Sequence, residues 1–358
     1  MITSNSLKKN FTRRNFLGNT VAAATAFAIA PRTFGCVSKN SENQTLPNVS
    51  NFGGVQIGSI SYSWQRMAAY GPEEVLGYSI ASGIGSLEAR WTEIEAFAGI
   101  PEGPQRQPLP QNFTGMPEGS GGGIPQGRGA GMSGQEQQEF EATQAAALEA
   151  QRQWRISVPM TKFEEFRKMY NNAGVNIHHA KMRPATWSDE EIDYAFRVAK
   201  ALGAKGVGEE ISEEACRRLA PFAEKHDMYV YFHNHGQVGT EGFSFEDFLN
   251  ISPMVMLNVD VGHFYGATGI DPTEILQKYH DRIVSIHMKD KTGPNSDPPN
   301  TNMPFGQGET PLIEVMQLIQ KEGWPIYCDI ELEYPIPAGS DAIAEVRKCV
   351  EYCRQALT

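Results

Sequence analysis

Short apolar runs alternate with amphipathic stretches from Val55 to the end of the chain. Such runs are typical of buried strands, and the stretches between them are typical of helices that cover a sheet. Eight strands alternating with helices favour a closed, single-domain α/β fold, the (β/α)8 or TIM barrel, over an open doubly wound sheet. No Gly-x-Gly-x-x-Gly follows the first strand, which argues against dinucleotide binding. The strands are predicted at 55–60, 84–89, 175–181, 204–210, 228–234, 255–260, 283–288 and 326–332.

Helices are predicted between these strands, and three of them carry a start signal. Thr161 with Glu164 and Ser188 with Glu191 have the spacing of capping boxes, and Ser212 is a predicted N-cap. The helices are expected at 72–82, 161–172, 188–201, 212–225, 244–250, 272–279, 311–321 and 340–355.

An insertion at 101–157 interrupts the predicted barrel domain, which spans 53–358. Residues 101–135 are rich in glycine, proline, glutamine and methionine, and 134–156 form a Gln/Glu/Ala-rich stretch of helical character. Because the insertion follows the second strand, it is expected on the face where barrel active sites lie. Two interpretations stay open, a lid over the site and an irregular excursion.

The N-terminal residues 1–36 have the features of a twin-arginine export signal. Arg13 and Arg14 precede a weakly apolar, alanine-rich run at 21–30 that is too short to span a bilayer. Cleavage after Ala30 is one possibility, although Pro31 follows it badly; lipidation of Cys36, the last residue of a loose lipobox at 33–36, is the other. The sequence therefore predicts an exported, periplasmic protein, with a lipid anchor at Cys36 as the alternative and 37–52 as a linker.

The charge of the chain limits its partners. The formal net charge is −11, and removal of 1–36, with five basic residues and no acidic one, would lower it by five, to −16. Because a surface with this much negative charge repels phosphate backbones, nucleic acid is not an expected partner. No C-x-x-C occurs, and the thiols are expected to be buried or idle rather than paired: Cys36, Cys216, Cys328, Cys349 and Cys353.

Polar side chains cluster at the C-terminal ends of the later strands. Alternate residues of a barrel strand face inward, and those at this end surround the active site. On the fourth strand Val207 should face the helices, so Glu210 is preferred over Glu209 as the inward carboxylate. The inward positions on the next four strands are His233 and His235, Asn258 and Asp260, Ser285, His287 and Lys289, and Asp329, Glu331 and Glu333.

Four of these residues form a candidate metal site: Glu210, Asp260, His287 and Glu331 come from four different strands. Three carboxylates and one imidazole suit one divalent ion such as Mn²⁺, Mg²⁺, Co²⁺ or Zn²⁺. A dication would also relieve the repulsion between buried carboxylates. The alternative is an ion-pair network with Lys289 and Arg282.

Several of these stretches resemble the xylose-isomerase-like barrel superfamily, the sugar phosphate isomerase/epimerase and inosose dehydratase group. The resemblance covers about 55–358 apart from the insertion at 101–157, which departs from the common pattern and leaves the size of the substrate open. It rests on the motifs at 233–236 (His-Asn-His-Gly), 257–264 (Leu-Asn-Val-Asp-Val-Gly-His-Phe), 287–290 (His-Met-Lys-Asp), 304–309 (Pro-Phe-Gly-Gln-Gly-Glu) and 330–333 (Ile-Glu-Leu-Glu).

The resemblance implies the same metal ligands, with Glu209 as the alternative to Glu210 and Glu333 on the same face as Glu331. It also implies chemistry at a carbon next to a carbonyl, with the metal stabilising an enediolate. Glu331 or Glu210 would abstract the proton and the other would return it. Hydroxyls of the substrate would be oriented, or a leaving one protonated, by Lys289, His263 and His235. The expected substrate contacts are thus these two histidines and His233.

The expected function is therefore a metal-dependent isomerase or epimerase of a free sugar or sugar derivative, since phosphorylated sugars are mainly cytoplasmic. A lyase or hydratase acting on 3-keto sugars or glycosides is the alternative, and a non-catalytic sugar-binding protein is a more remote one. An apurinic endonuclease on this fold would need more His and Asp ligands for a three-zinc cluster. His178, His179 and His233 are available for that, but the acidic charge and the export signal argue against it.

Overall fold

A closed barrel of eight parallel strands forms the centre of the molecule. The computed structural model describes residues 49–104 and 134–358. Each strand pairs with the next, and Cys328 of the last lies opposite Ile57 of the first, which closes the barrel. The predicted TIM barrel and its eight strands are thus confirmed. The strands are β1 (Val55–Ile60), β2 (Ser86–Arg90), β3 (Asn176–Lys181), β4 (Gly206–Glu210), β5 (Tyr229–His233), β6 (Val255–Asp260), β7 (Ile283–Met288) and β8 (Tyr327–Ile330).

Helices surround the barrel, and every predicted helix is present with ends within two residues of the expected ones. Two further helices, Trp91–Ala98 and Val261–Thr268, were not predicted, because each continues directly from the end of a strand. The helices are α1 (Pro72–Ser82), α2 (Trp91–Ala98), α3 (Gly134–Ser157), α4 (Thr161–Asn172), α5 (Asp189–Leu202), α6 (Glu213–His226), α7 (Phe245–Leu249), α8 (Val261–Thr268), α9 (Pro272–Tyr279), α10 (Leu312–Glu322) and α11 (Ala342–Leu357).

Two of the three predicted start signals are confirmed. Ser188 and Glu191 form a capping box at α5, and the side chain of Ser212 accepts a hydrogen bond from the backbone of Ala215 at α6. The predicted capping box at Thr161 is wrong. Met160 already has right-handed helical torsions (φ −62°, ψ −22°), so the Thr161 hydroxyl lies inside the first turn and caps nothing.

The apolar core lies between the outer faces of the strands and the helices, whereas the barrel interior is polar. Barrels of this class commonly fill that interior with branched aliphatic side chains. Here it contains Glu88, His178, Asn258, His287 and Asp329, all at most 1% exposed. Folding therefore depends on pairing these groups with one another, because an unpaired buried polar group is costly.

Glycines on β4 make room for this interior. A Cβ atom at Gly206 would lie 2.3 Å from the Tyr229 ring, and one at Gly208 would lie 2.5 Å from the Tyr231 ring. The two tyrosines of β5 therefore fill the space next to β4, and no larger residue fits at either glycine.

The described end of the insertion is a helix, as predicted, and it packs on the outside of the barrel. Arg155 of α3 is 92% buried; its Nε lies 2.8 Å from Glu95 of α2 and its Nη1 lies 3.1 Å from Glu191 of α5. The guanidinium also lies 4.1 Å from the centre of the Trp187 ring. The lid interpretation covers the whole insertion at 101–157 and stays a prediction, since residues 105–133 lie outside the described residues.

The four described cysteines are buried and unpaired, as predicted: Cys216, Cys328, Cys349 and Cys353. Within the described residues, no helix combines the length and apolar character needed to cross a bilayer. Cys36 and the predicted export signal lie outside the described residues.

We expect Arg155→Ala to lower the free energy of unfolding by about 3 kcal/mol, because it leaves two buried carboxylates without their cation. Urea denaturation followed by circular dichroism measures this. Arg152→Ala is the matched control: Arg152 lies on the same helix but its contacts with Glu149 and Glu190 are exposed, so a loss within about 0.5 kcal/mol is expected. Equal losses in both variants would contradict the anchoring role.

Candidate active site

Four buried side chains converge at the C-terminal mouth of the barrel. They are His233 at the end of β5, Asp260 at the end of β6, His287 on β7 and Glu331 just after β8. One potential ligand atom from each lies within 4.8 Å of all the others. The structure thus brings together three of the four predicted metal ligands, and His233 is the fourth member of this group.

Glu210, the remaining predicted ligand, lies beside His233 rather than in the group of four. Its Oε2 is 3.1 Å from His233 Nδ1 and 3.4 Å from His235 Nδ1, and its Oε1 is 3.1 Å from Lys181 Nζ. Burial alone would raise the pKa of Glu210, but Lys181 and His233 hold it well below its usual value. Glu210 is therefore an ionised carboxylate at the mouth.

Glu209 has a different environment from Glu210. Its two carboxylate oxygens accept hydrogen bonds from the backbone N–H groups of Ala185 and Glu210. Burial raises its pKa. Of the two glutamates, Glu210 is the one that turns toward the histidines of the mouth.

His287 lies between two carboxylates. Its Nδ1 is 2.6 Å from Glu331 Oε2 and its Nε2 is 2.9 Å from Glu88 Oε2. Burial favours the neutral ring, but the two carboxylates raise the pKa of His287 to about 10, so both nitrogens donate at neutral pH. Sequence reasoning missed Glu88, although its place on β2, two residues after inward Ser86, puts it on the inward face.

Lys289 provides the positive charge of the mouth. Its Nζ lies 3.1 Å from Asp260 Oδ2, 3.2 Å from Glu331 Oε2 and 2.8 Å from Glu333 Oε2. Burial would lower the pKa of Lys289, but these carboxylates raise it well above its usual value.

The predicted ion-pair alternative therefore holds for Lys289 but not for Arg282. Arg282 precedes β7, so it lies at the opposite end of the barrel. There its Nη2 donates to three backbone carbonyls, those of Leu249, Ser252 and Val255.

Two neutral histidines complete the mouth. His263 Nε2 lies 3.0 Å from Lys289 Nζ, and burial together with that ammonium holds the pKa of His263 well below its usual value. Its backbone N–H donates to Asp260 Oδ1, which caps α8 and fixes the aspartate. His235 is partly exposed, and burial and His233 lower its pKa to about 4. Both rings can exchange hydrogen bonds with a hydroxyl of a ligand.

The chemistry of the four grouped residues fits a divalent metal ion. Among the described residues, buried His233 Nε2 forms no hydrogen bond, and Asp260 Oδ2, 3.4 Å from it, has only its ion pair with Lys289. Two imidazoles and two carboxylates suit a borderline ion such as Mn²⁺, Co²⁺ or Zn²⁺. Lys289 also contacts Glu333, so its ammonium can stay paired if an ion takes its place beside Asp260 and Glu331.

Aromatic and cationic side chains line the other side of the mouth, on the segments that follow β1, β2 and β3. The Arg90 guanidinium lies 5.1 Å from the centre of the Tyr62 ring and 4.9 Å from that of Trp91. Burial, then the carboxylates of Glu333 and Glu331 after the end of β8, raise the pKa of Tyr62. Sequence reasoning missed this wall, because single aromatic residues after strands carry no distinctive spacing.

Comparison with known proteins agrees with the fold. Residues 192–355 match the model of the xylose isomerase-like TIM barrel family. No curated protein matches the sequence. A probable 3-DHS dehydratase from Bacillus anthracis is 12% identical with a TM-score of 0.51, and the alignment covers 83% of this chain and 98% of that one. A xylose isomerase domain protein from Alicyclobacillus acidocaldarius is 14% identical with a TM-score of 0.50, covering 84% and 99%.

The protonated His287 predicts a pH dependence of the metal-free protein. Its pKa is raised in the folded state, so its stabilisation is complete below about pH 6.5 and is lost as the pH rises toward 10. We expect the free energy of unfolding, measured with urea in the presence of chelator, to fall across this window. In His287→Asn the fall should be much smaller; an equal fall in both proteins would contradict the assignment.

Proposed function

We propose that this chain, a xylose isomerase-like TIM barrel by its fold and its family match, is a divalent-metal-dependent isomerase or epimerase of a sugar. It would act by moving a proton at a carbon next to a carbonyl. The observation that carries the proposal is the meeting of His233, Asp260, His287 and Glu331 at the mouth of the barrel.

These four side chains would hold the metal ion, and two further carboxylates would orient the imidazoles. Glu210 is hydrogen-bonded to Nδ1 of His233, which leaves Nε2 toward Asp260. Glu88 is hydrogen-bonded to Nε2 of His287, which leaves Nδ1 toward Glu331. Such outer carboxylates fix the orientation of a ligating histidine. The chemistry that a divalent ion supplies in such a site is polarisation of a carbonyl oxygen.

Epimerisation requires two proton-transferring groups, one on each side of the reacting carbon. Glu210 lies against Nδ1 of His233, whereas Glu331 lies 3.7 Å from Nε2 of the same ring. Lysines hold both carboxylates ionised, so either can accept a proton. One carboxylate would remove the proton and the other would return it. Return at the same carbon gives epimerisation, and return at the neighbouring carbon gives isomerisation.

The walls of the mouth suit a sugar. Tyr62 and Trp91 offer ring faces to the apolar C–H groups of a sugar, and His235, His263 and Lys289 offer hydrogen bonds to its hydroxyls. The export signal predicted for 1–36 favours a free or oxidised sugar over a sugar phosphate.

A lyase or hydratase is the second candidate, and the Lys289–His263 pair favours it. The ammonium lies across the His233–Asp260 pair from Glu210, so a base on one side and an acid on the other are available for elimination of a β-hydroxyl. Lys289 would protonate the leaving oxygen after proton removal.

Solvent deuterium exchange tests both candidates. The protein, with Mn²⁺ added, is incubated in D₂O with free sugars and 3-keto glycosides and followed by NMR. Deuterium at the carbon next to the carbonyl supports the isomerase or epimerase, and an unsaturated or hydrated product supports the lyase or hydratase. Glu210→Gln is expected to reduce exchange at least about 100-fold, because it removes a positioned base. No exchange and no unsaturated or hydrated product with any substrate would contradict both candidates.

The site geometry also ranks the residues for metal affinity. His233→Gln is expected to weaken Mn²⁺ binding more than Glu210→Gln, because His233 is in the ligand group and Glu210 acts through it. Loss of an outer partner typically weakens affinity by about 10–100-fold. Isothermal titration with Mn²⁺ measures the order, and a larger loss in Glu210→Gln would make Glu210 the ligand.

A further inference from the structure

A second cluster of metal-binding side chains lies deeper in the barrel, below the mouth. Between β2 and β3 the pairing shifts register: Leu87 lies opposite Ile177, but Glu88 lies opposite His179. His178 is the extra residue of this bulge, and bulges re-aim side chains. As a result two consecutive histidines, 178 and 179, both face the interior instead of alternating.

Contacts across the barrel show this orientation. His178 Nε2 lies 3.0 Å from Asp329 Oδ2 of β8, and the His179 ring stacks on Tyr231 of β5 with 4.3 Å between ring centres. Both imidazoles and the Asp329 carboxylate are at most 1% exposed.

A hydroxyl holds one nitrogen of each imidazole and leaves the other for a ligand. Ser86 Oγ lies 2.8 Å from His178 Nδ1, and Tyr229 Oη lies 2.9 Å from His179 Nε2. If each of these nitrogens donates its hydrogen to the hydroxyl, the lone pairs of His178 Nε2 and His179 Nδ1 become available. Such outer hydrogen bonds are the usual way to orient metal-bound histidines.

The cluster contains buried polar atoms without partners. Among the described residues, His179 Nδ1, Asp329 Oδ1 and Tyr231 Oη form no hydrogen bond, although buried polar groups nearly always form one. Burial, then His178, hold the pKa of His179 well below its usual value, so this ring is neutral as a ligand must be. One ligand atom each of His178, His179 and Asp329 lies within 4.8 Å of the others.

We propose that His178, His179 and Asp329 form a second, structural zinc site in the interior of the barrel, separate from the site at the mouth. Two imidazoles and one carboxylate are ordinary zinc ligands, and ligands of a tetrahedral zinc lie about 3.4 Å apart, close to the 3.0 Å between His178 Nε2 and Asp329 Oδ2. Tyr231 Oη, which also forms no hydrogen bond among the described residues, is the candidate for the fourth ligand. The ion would join β3 to β8 across the interior.

Access distinguishes this site from the mouth. None of its ligands is solvent-accessible, so zinc must enter while the barrel folds and leaves only when it opens. The two sites share no ligand, although Asp329 also lies within 4.8 Å of Glu88 and His287, which places the interior site directly beneath the mouth.

The test measures the zinc content of the full-length protein. The protein is refolded with and without Zn²⁺ and desalted, and its metal is then measured by mass spectrometry. Wild type refolded with zinc should retain about two ions per chain, and His179→Gln and Asp329→Asn should retain about one. Glu331→Gln is the control for the mouth and should lose the other ion. Zinc added to protein folded without it should not fill the interior site.

A gentler variant keeps the test valid if the ligand variants do not fold. Tyr229→Phe leaves all three ligands and the ring in place and is expected to release the interior zinc about 10–100-fold more readily to a chelator. Retention of wild-type zinc by His179→Gln, Asp329→Asn and Tyr229→Phe, or a wild type whose zinc disappears entirely in Glu331→Gln, would show a plain hydrogen-bonded cluster and overturn the proposal. Zinc in the interior but none at the mouth would support it while contradicting the metal-dependent function.

Discussion

Burial of carboxylates inside the barrel is the constraint on which the rest of the structure depends. Glu88, Asp260 and Glu331 are at most 8% exposed, and each charge taken from water costs several kcal/mol unless it is paired. His287 contacts Glu88 and Glu331, and Lys289 contacts Asp260 and Glu331. Each of the three carboxylates is therefore paired with at least one of these two cations. The strands must therefore keep a register that holds these side chains within hydrogen-bond distance, which couples the closure of the barrel to the geometry of its mouth.

The polar interior also explains the roles of the surrounding residues. Asn258 of β6 donates to Ser285 on the neighbouring strand β7 and to Glu88 on β2 across the barrel, so side chains as well as backbone join the strands. Asp260 caps α8 while its other oxygen faces His233, so one residue ends a strand, starts a helix and places a carboxylate oxygen in the mouth. Because these contacts fix its side chain at both ends, Asp260 has little freedom to move. The strand and the helix thus hold this part of the mouth without help from a loop.

Alternation along the strands predicts much of this site. It places His233, Asp260, His287, Lys289 and Glu331 on inward faces, and the structure has them there. Alternation does not say which inward side chains reach one another, so it cannot show that Glu210 stops beside His233. It also fails at the β3 bulge, where a register shift turns consecutive histidines the same way. Such a shift depends on the neighbouring strand and has no signal in a single sequence.

The position of Lys289 has a consequence for the charge balance of the mouth. Its ammonium lies among Asp260, Glu331 and Glu333 and can neutralise them without any bound ion. These acids are therefore held in alignment, and their repulsion is quenched by a side chain of the protein itself. Because these contacts come from one ammonium, a different cation at this place would replace the contacts of a single side chain and leave the strands in position.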